Sequence, residues 1–148
     1  MSSYLNEQSL VNDFVQHVQL AVQPWGDVRV LREFLYRGGR TDVVLLTGAG
    51  DVLAFEAKLN RWRIALHQAY RNTCYAHHSY VILPEDIALA AHRYAYEFDR
   101  RGVGLCYLRD GRLVVLRDSP RSEPLQPWLC SRARALAEGG EAHVGDGP

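Results

Sequence analysis

Asp42-Val-Val-Leu-Leu-Thr-Gly-Ala-Gly-Asp-Val-Leu-Ala-Phe-Glu56-Ala-Lys58 decides how the rest of this chain is read. Val43 to Leu46 is a continuous apolar run, the pattern of a central strand covered on both faces. Gly48-Ala49-Gly50 follows as a hairpin loop, and Val52 to Leu59 reads as the returning strand. Residues two apart on a strand share a face, so Glu56 and Lys58 point one way and Leu53, Phe55 and Ala57 the other. With a three-residue loop, Thr47 faces Asp51 and Asp42 lies opposite Glu56, with Cβ atoms roughly 4.5–5.5 Å apart. With a two-residue turn at Ala49-Gly50, Asp42 faces Ala57 and its side chain leaves that face. In the first register the two carboxylates repel unless a cation lies between them. Lys58 is one candidate cation. A divalent metal is the other, because carboxylates on adjacent strands are the hard oxygen ligands that Mg²⁺ and Mn²⁺ prefer. The plainer alternative is a Glu56–Lys58 ion pair at a sheet edge, with Asp42 solvated at the start of its strand.

Lys58 is the only lysine among 148 residues, against sixteen arginines. A chain that meets its other needs for a cation with arginine singles out this position for a compact, titratable ammonium. The formal net charge is zero, which argues against a nonspecific polycation coat for nucleic acid. Residues 29–71 nevertheless carry eight basic and four acidic groups, so a positive excess surrounds Lys58.

Outward from the hairpin, Leu5 to Val22 carries apolar residues at helical spacing and ends at Pro24-Trp25-Gly26. Val28 to Tyr36 reads as a strand with Val28, Val30, Phe34 and Tyr36 on one face, and Gly38-Gly39 as a turn. After Lys58, a helix is predicted from Trp62 to His78, a strand over Tyr80 to Leu83, and a helix capped by Asp86 and running to about Arg100. That last helix is expected to bury Ile87, Leu89, Ala91, Tyr94, Ala95 and Phe98. Gly102–Tyr107 and Leu113–Leu116 form a final hairpin around Asp110-Gly111. A Pro-rich connection leads to a short helix over Trp128 to Ala137. Glu138 to Pro148 is Gly-rich and polar and reads as a disordered tail, which leaves 1–137 as a single domain. Helix, three strands, helix, strand, helix and two strands imply an α/β sandwich with a mixed sheet.

No apolar run approaches the roughly 20 residues that cross a bilayer, and no secretory signal is visible. Three widely spaced cysteines make neither a disulfide framework nor a Cys-x-x-Cys, which points to a reducing, cytoplasmic setting. His77 and His78 are adjacent and diverge on a helix, so they do not chelate together.

Asp42, followed fourteen residues on by Glu56-Ala57-Lys58, resembles the D…(D/E)-x-K signature of the PD-(D/E)XK nuclease superfamily. The order of elements resembles the αβββαβ core of its restriction-endonuclease-like fold, here with a C-terminal hairpin extension. The helix that contains Gln68 looks like the Gln-bearing helix after the lysine strand in many members. Glu7 is similar to an extra acidic residue that some members supply from the first helix. Arg40-Thr41-Asp42 departs from the Pro-Asp of the name. The resemblance covers about residues 5–107 and implies Mg²⁺-dependent phosphodiester hydrolysis, with Mn²⁺ able to substitute. It implies that Asp42, Glu56 and the Ala57 carbonyl ligate the metal, with Glu7 completing the shell. Lys58 would orient or activate water, and Gln68 would hold the water, the lysine or a phosphate. Arg40, Arg61 and Arg63 flank the site as candidate contacts to DNA phosphates.

Two function classes stay open. One is an endonuclease acting on DNA, working as a homodimer or directed by a partner protein. The other is a catalytically silent module of the same fold that binds nucleic acid or a protein partner. A degenerate site usually loses at least one of the three signature residues, and Asp42, Glu56 and Lys58 are all present, which favours the first.

Overall fold

The structure, a computed structural model, describes residues 4–20 and 23–143. The hairpin that opened the sequence reading is present. Strand β2 (Gly39–Thr47) pairs antiparallel with β3 (Val52–Ala57), with Val43 opposite Phe55 and Leu46 opposite Val52. This is the three-residue-loop register, and Asp42 comes next on the line that leads to Glu56. Strand β1 (Val28–Tyr36) adds antiparallel to β2 on the outer side. Helix α2 (Trp62–Asn72) carries the chain over to β4 (His78–Ile82), which lies parallel to β3. Helices α3 (Glu85–His92) and α4 (Ala95–Arg101) lead to β5 (Val103–Arg109), parallel to β4. Strand β6 (Arg112–Arg117) closes the sheet antiparallel to β5. The described residues therefore form an α/β fold around one mixed six-stranded sheet whose spatial order follows the chain.

Helix α1 (Glu7–Gln19) covers one face, packing Leu10, Phe14 and Val18 on Val43, Leu45, Leu53 and Phe55. Helices α2, α3 and α4 cover the other face beside Val81 and Leu105, and α5 (Pro127–His143) covers it beside Val44 and Ala54. Strand β3 lies between these layers and is buried at every residue. That accounts for its lack of apolar–polar alternation.

Several sequence expectations are corrected by competition between local and long-range pairing. The helix from Trp62 stops at Asn72, short of His78. His77 already donates its N–H to Val52 O (2.9 Å) and accepts from Val52 N–H through Nδ1 (2.9 Å), so sheet pairing captures the chain before another turn can form. The helix expected from Asp86 to Arg100 is two helices, broken at Tyr94 (φ −113°, ψ 36°). Ala88 takes the buried stripe, and Leu89 and Tyr94, expected inside, are 45% and 41% exposed. The last helix continues past Ala137 to His143, so the expected tail over 138–148 does not begin at Glu138. Residues 144–148, and Ala21-Val22 at the expected end of α1, lie outside the described residues.

Strand β1 does not keep one face. Val30 packs on the α1 side, whereas Phe34 packs on the side of α5. Strand β2 switches in step: Val43 faces α1, and Thr41 reaches Tyr75 on the other side. The switch falls at Glu33, which has a positive φ of 58°, and at Asp42 across from it. Register is unchanged on either side, with Arg32 opposite Val43 and Phe34 opposite Thr41. A strand-interior residue with positive φ is an outlier held by its surroundings. Here it breaks the alternation next to the Asp42 carboxylate.

Candidate active site

The cleft lies where the β2–β3 ladder runs out. The last paired residues are Val43 and Phe55. Beyond them the Asp42 carboxylate turns sideways, and its Oδ2 accepts the Ala57 N–H at 2.9 Å. A continued antiparallel ladder would have given that N–H to the β2 backbone. Glu56 is 2% exposed, with its side chain on the α2 face of the sheet. Lys58 follows the strand end and donates its backbone N–H to Ile82 O (3.3 Å). Its Nζ lies 3.7 Å from Glu7 Oε2. Glu7 stands in the first turn of α1, fixed there by a capping box in which Asn6 Oδ1 accepts from Ser9 N–H (2.8 Å) and Ser9 Oγ accepts from Asn6 N–H (3.2 Å).

These residues line one cleft of about 100 Å³, together with Arg40, Ala57, Gln68 and Arg71. A neighbouring recess of about 160 Å³ shares Glu7, Arg40 and Asp42 and continues past Arg32 and Gln8 between α1 and β1. Arg40 Nη2 lies 3.3 Å from Asp42 Oδ1 and is the cation paired with that carboxylate.

Asp42 and Glu56 are together, as the three-residue-loop register requires. Burial, followed by the adjacent Asp42 carboxylate, pushes the Glu56 pKa up to about 8, against the opposing effect of the Asn72 hydrogen bond. The ion pair that Lys58 makes is with Glu7, so the alternative of a Glu56–Lys58 pair is not the arrangement found. With the Glu56 pKa raised to about 8 and Asp42 paired with Arg40, the two carboxyls are balanced as they stand. They are also hard oxygen donors of the kind a divalent cation takes, and such an ion would have to displace the Glu56 proton. Among the described residues no three or more His, Cys, Asp or Glu side chains are grouped to hold a metal. Glu7 shares the cleft and faces Lys58 rather than forming such a group.

Not every expected residue is in the cleft. Arg63 is held on the far side of α2, with Nε and Nη2 on Glu97 at 3.2 and 2.7 Å and its guanidinium 4.1 Å above the Trp62 ring. Arg61 precedes α2 as its N-cap residue and is exposed.

Two residues were missed. Arg71 lines the cleft. Asn72, 1% exposed, donates from Nδ2 to Glu56 Oε2 at 2.7 Å. Its Oδ1 accepts from Tyr36 OH (2.8 Å) and Thr41 Oγ1 (2.9 Å), and Thr41 Oγ1 lies 2.6 Å from Tyr75 OH. The available signal was helical spacing: Gln68, Arg71 and Asn72 are i, i+3 and i+4 on one face of α2.

No family model matches the chain, and no curated protein matches it in sequence. Among solved structures, a protein of unknown function from Silicibacter pomeroyi superposes with a TM-score of 0.64 at 15% identity, over 98% of this chain and 94% of that one. That likeness is one of fold. A repair endonuclease from Pyrococcus abyssi superposes with a TM-score of 0.45 at 12% identity, over 74% of this chain, which spans half the length of that protein. Among the described residues no helix is long and apolar enough to cross a membrane.

Proposed function

We propose that this chain is a divalent-cation-dependent nuclease that hydrolyses internal phosphodiester bonds of DNA, with Mg²⁺ as the cofactor and Mn²⁺ able to replace it. The observation that carries the reading is the buried Glu56 carboxyl set against Asp42 in a cleft that also holds Lys58 and Gln68. Asp42, Glu56 and the Ala57 carbonyl would hold the ion, with Glu7 adjacent. When bound, such an ion polarises a phosphoryl oxygen and acidifies water. The residues of the chain do the rest. Lys58 exchanges its weak pairing with Glu7 for the phosphate and offsets the charge that develops there. Gln68 orients water through its amide, and Arg40 and Arg71 receive phosphate oxygens on either side.

One observation favours a second reading, a nuclease-fold module that binds nucleic acid or a partner protein without cutting. The Lys58 ammonium is engaged by Glu7 rather than free. Incubation with linear, branched and single-stranded DNA in Mg²⁺, Mn²⁺ or chelator separates the two. The nuclease cuts at least one substrate only in the presence of metal. Glu56→Ala and Lys58→Ala each lower that rate on the order of 10²-fold or more while the circular dichroism spectrum is retained. If no substrate is cut in either metal, the binding-module reading stands instead.

A further inference from the structure

The buried amide of Asn72 has no part in the signature that points to Asp42, Glu56 and Lys58, yet it makes the shortest polar contact to Glu56 given by the structure (2.7 Å). An amide oxygen has two lone pairs, and both are taken at Asn72 Oδ1: one by Tyr36 OH from β1, the other by Thr41 Oγ1 from β2. Thr41 has one hydroxyl hydrogen and gives it to Asn72, so Tyr75 OH is the donor in the 2.6 Å contact between the two hydroxyls. The hydrogens therefore run in one direction, from Tyr75 to Thr41 to Asn72, joined by Tyr36, and out through Nδ2 to Glu56. Thr41, Asn72 and Tyr75 are all buried, so none can exchange its partner for water without cost.

We propose that Asn72 is a positioning residue for the cation site. It holds Glu56 Oε2, so that Oε1 would be the oxygen offered to a cation, and it ties the carboxyl to β1 and β2 through Tyr36 and Thr41. The inference rests on the assignment of Asp42 and Glu56 as cation ligands. The physical case is that a carboxylate with one oxygen locked loses little freedom when the other binds a cation. Partners of metal ligands commonly contribute about 10–100-fold in metal affinity. Thr41 immediately precedes Asp42, so the same network steadies the segment that presents the second carboxylate.

The test is Mn²⁺ binding measured by calorimetry on the full chain at pH 8, with folding followed by far-ultraviolet circular dichroism. Asn72→Ala is expected to fold and to bind Mn²⁺ about 10–100-fold more weakly, and saturating Mn²⁺ is expected to restore DNA cleavage. Because bound metal also stabilises the fold, folding is compared in chelator, and the affinity is read only in a variant that is fully folded there. Tyr36→Phe, which removes one donor to the same amide, is expected to weaken Mn²⁺ several-fold and carries the test if Asn72→Ala does not fold. Affinity within twofold of wild type in the folded variant, while Glu56→Gln abolishes binding, overturns the role of Asn72 and leaves the cation site standing. Wild-type binding that survives Glu56→Gln overturns the cation site and this inference with it.

Discussion

Glu56 illustrates how far one side chain can depart from its ordinary chemistry when its neighbours are fixed. Its pKa is raised from 4.5 to about 8, first by burial and then by Asp42. The folded chain therefore binds a proton that the unfolded chain releases. The resulting stability is complete below about pH 4.5 and is lost as pH rises through about 8. In chelator, the thermal midpoint of the wild type should fall across that window, by an amount worth a few kcal/mol at about 1.36 kcal/mol per unit. Glu56→Gln, neutral throughout, should flatten the dependence and melt higher than wild type at pH 8. A wild-type curve no steeper than the variant's would mean that the carboxyl is not held in its protonated form. At this scale, the approach of Asp42 to Glu56 was legible in the sequence as one of two registers, because loop length determines which residues lie opposite. Asn72 was not, since its bond to Glu56 spans sixteen residues and depends on where α2 docks.

At the level of elements, the strands show two kinds of local exception, and both have consequences. In β1 and β2 the faces switch at Glu33 and Asp42 without a change of register, and the turned Asp42 caps the end of the ladder. In β5, Gly104 pairs with Tyr80 of β4. A Cβ at that position would sit 2.3 Å from the Tyr80 ring and 2.6 Å from the Arg117 carbonyl oxygen. Tyr80 is itself stacked on Phe55 (5.1 Å) and cannot swing away freely. Gly104→Ala should therefore destabilise the fold by about 1–3 kcal/mol through overpacking, read as a lower thermal midpoint. Unchanged melting would show that the β4–β5 packing is looser than described. The Asp110-Gly111 turn, by contrast, matches its sequence signal, with positive φ at both residues (50° and 74°) as a type I′ hairpin turn requires.

For the molecule as a whole, the proposed cation site would link binding to folding. The carboxyl pair exists only when α2 is docked on the sheet and β2 is paired to β3. A divalent ion that binds this pair stabilises the folded state relative to the unfolded one. At a Mn²⁺ concentration 100-fold above its dissociation constant, the gain is about 2.7 kcal/mol, which raises the thermal midpoint by about 5–10 °C for a chain of this size. The rise should be larger at pH 8 than at pH 6, because the ion displaces the Glu56 proton. Scanning fluorimetry in Mn²⁺ and in chelator at both pH values checks this, and a midpoint that ignores Mn²⁺ at pH 8 would argue against the site. Arg63 shows the limit of reading charge from sequence alone. It flanks Lys58 in the chain, yet Glu97, thirty-four residues away, and the Trp62 ring hold it outside the cleft.

The order of residues settled the α/β class and the three-strand meander, and it narrowed the hairpin to two registers, of which the folded pairing takes the one that brings Asp42 towards Glu56. Each of these follows from short-range periodicity, turn chemistry and short loop closure, which act within a few residues. Tertiary structure alone decided that α2 ends at Asn72, that the helix after Pro84 breaks at Tyr94, that Lys58 leans on Glu7, and that Glu56 is anchored from behind. Each of these is a contest in which burial and hydrogen bonds between distant segments outweigh a local preference worth less than about 1 kcal/mol per residue.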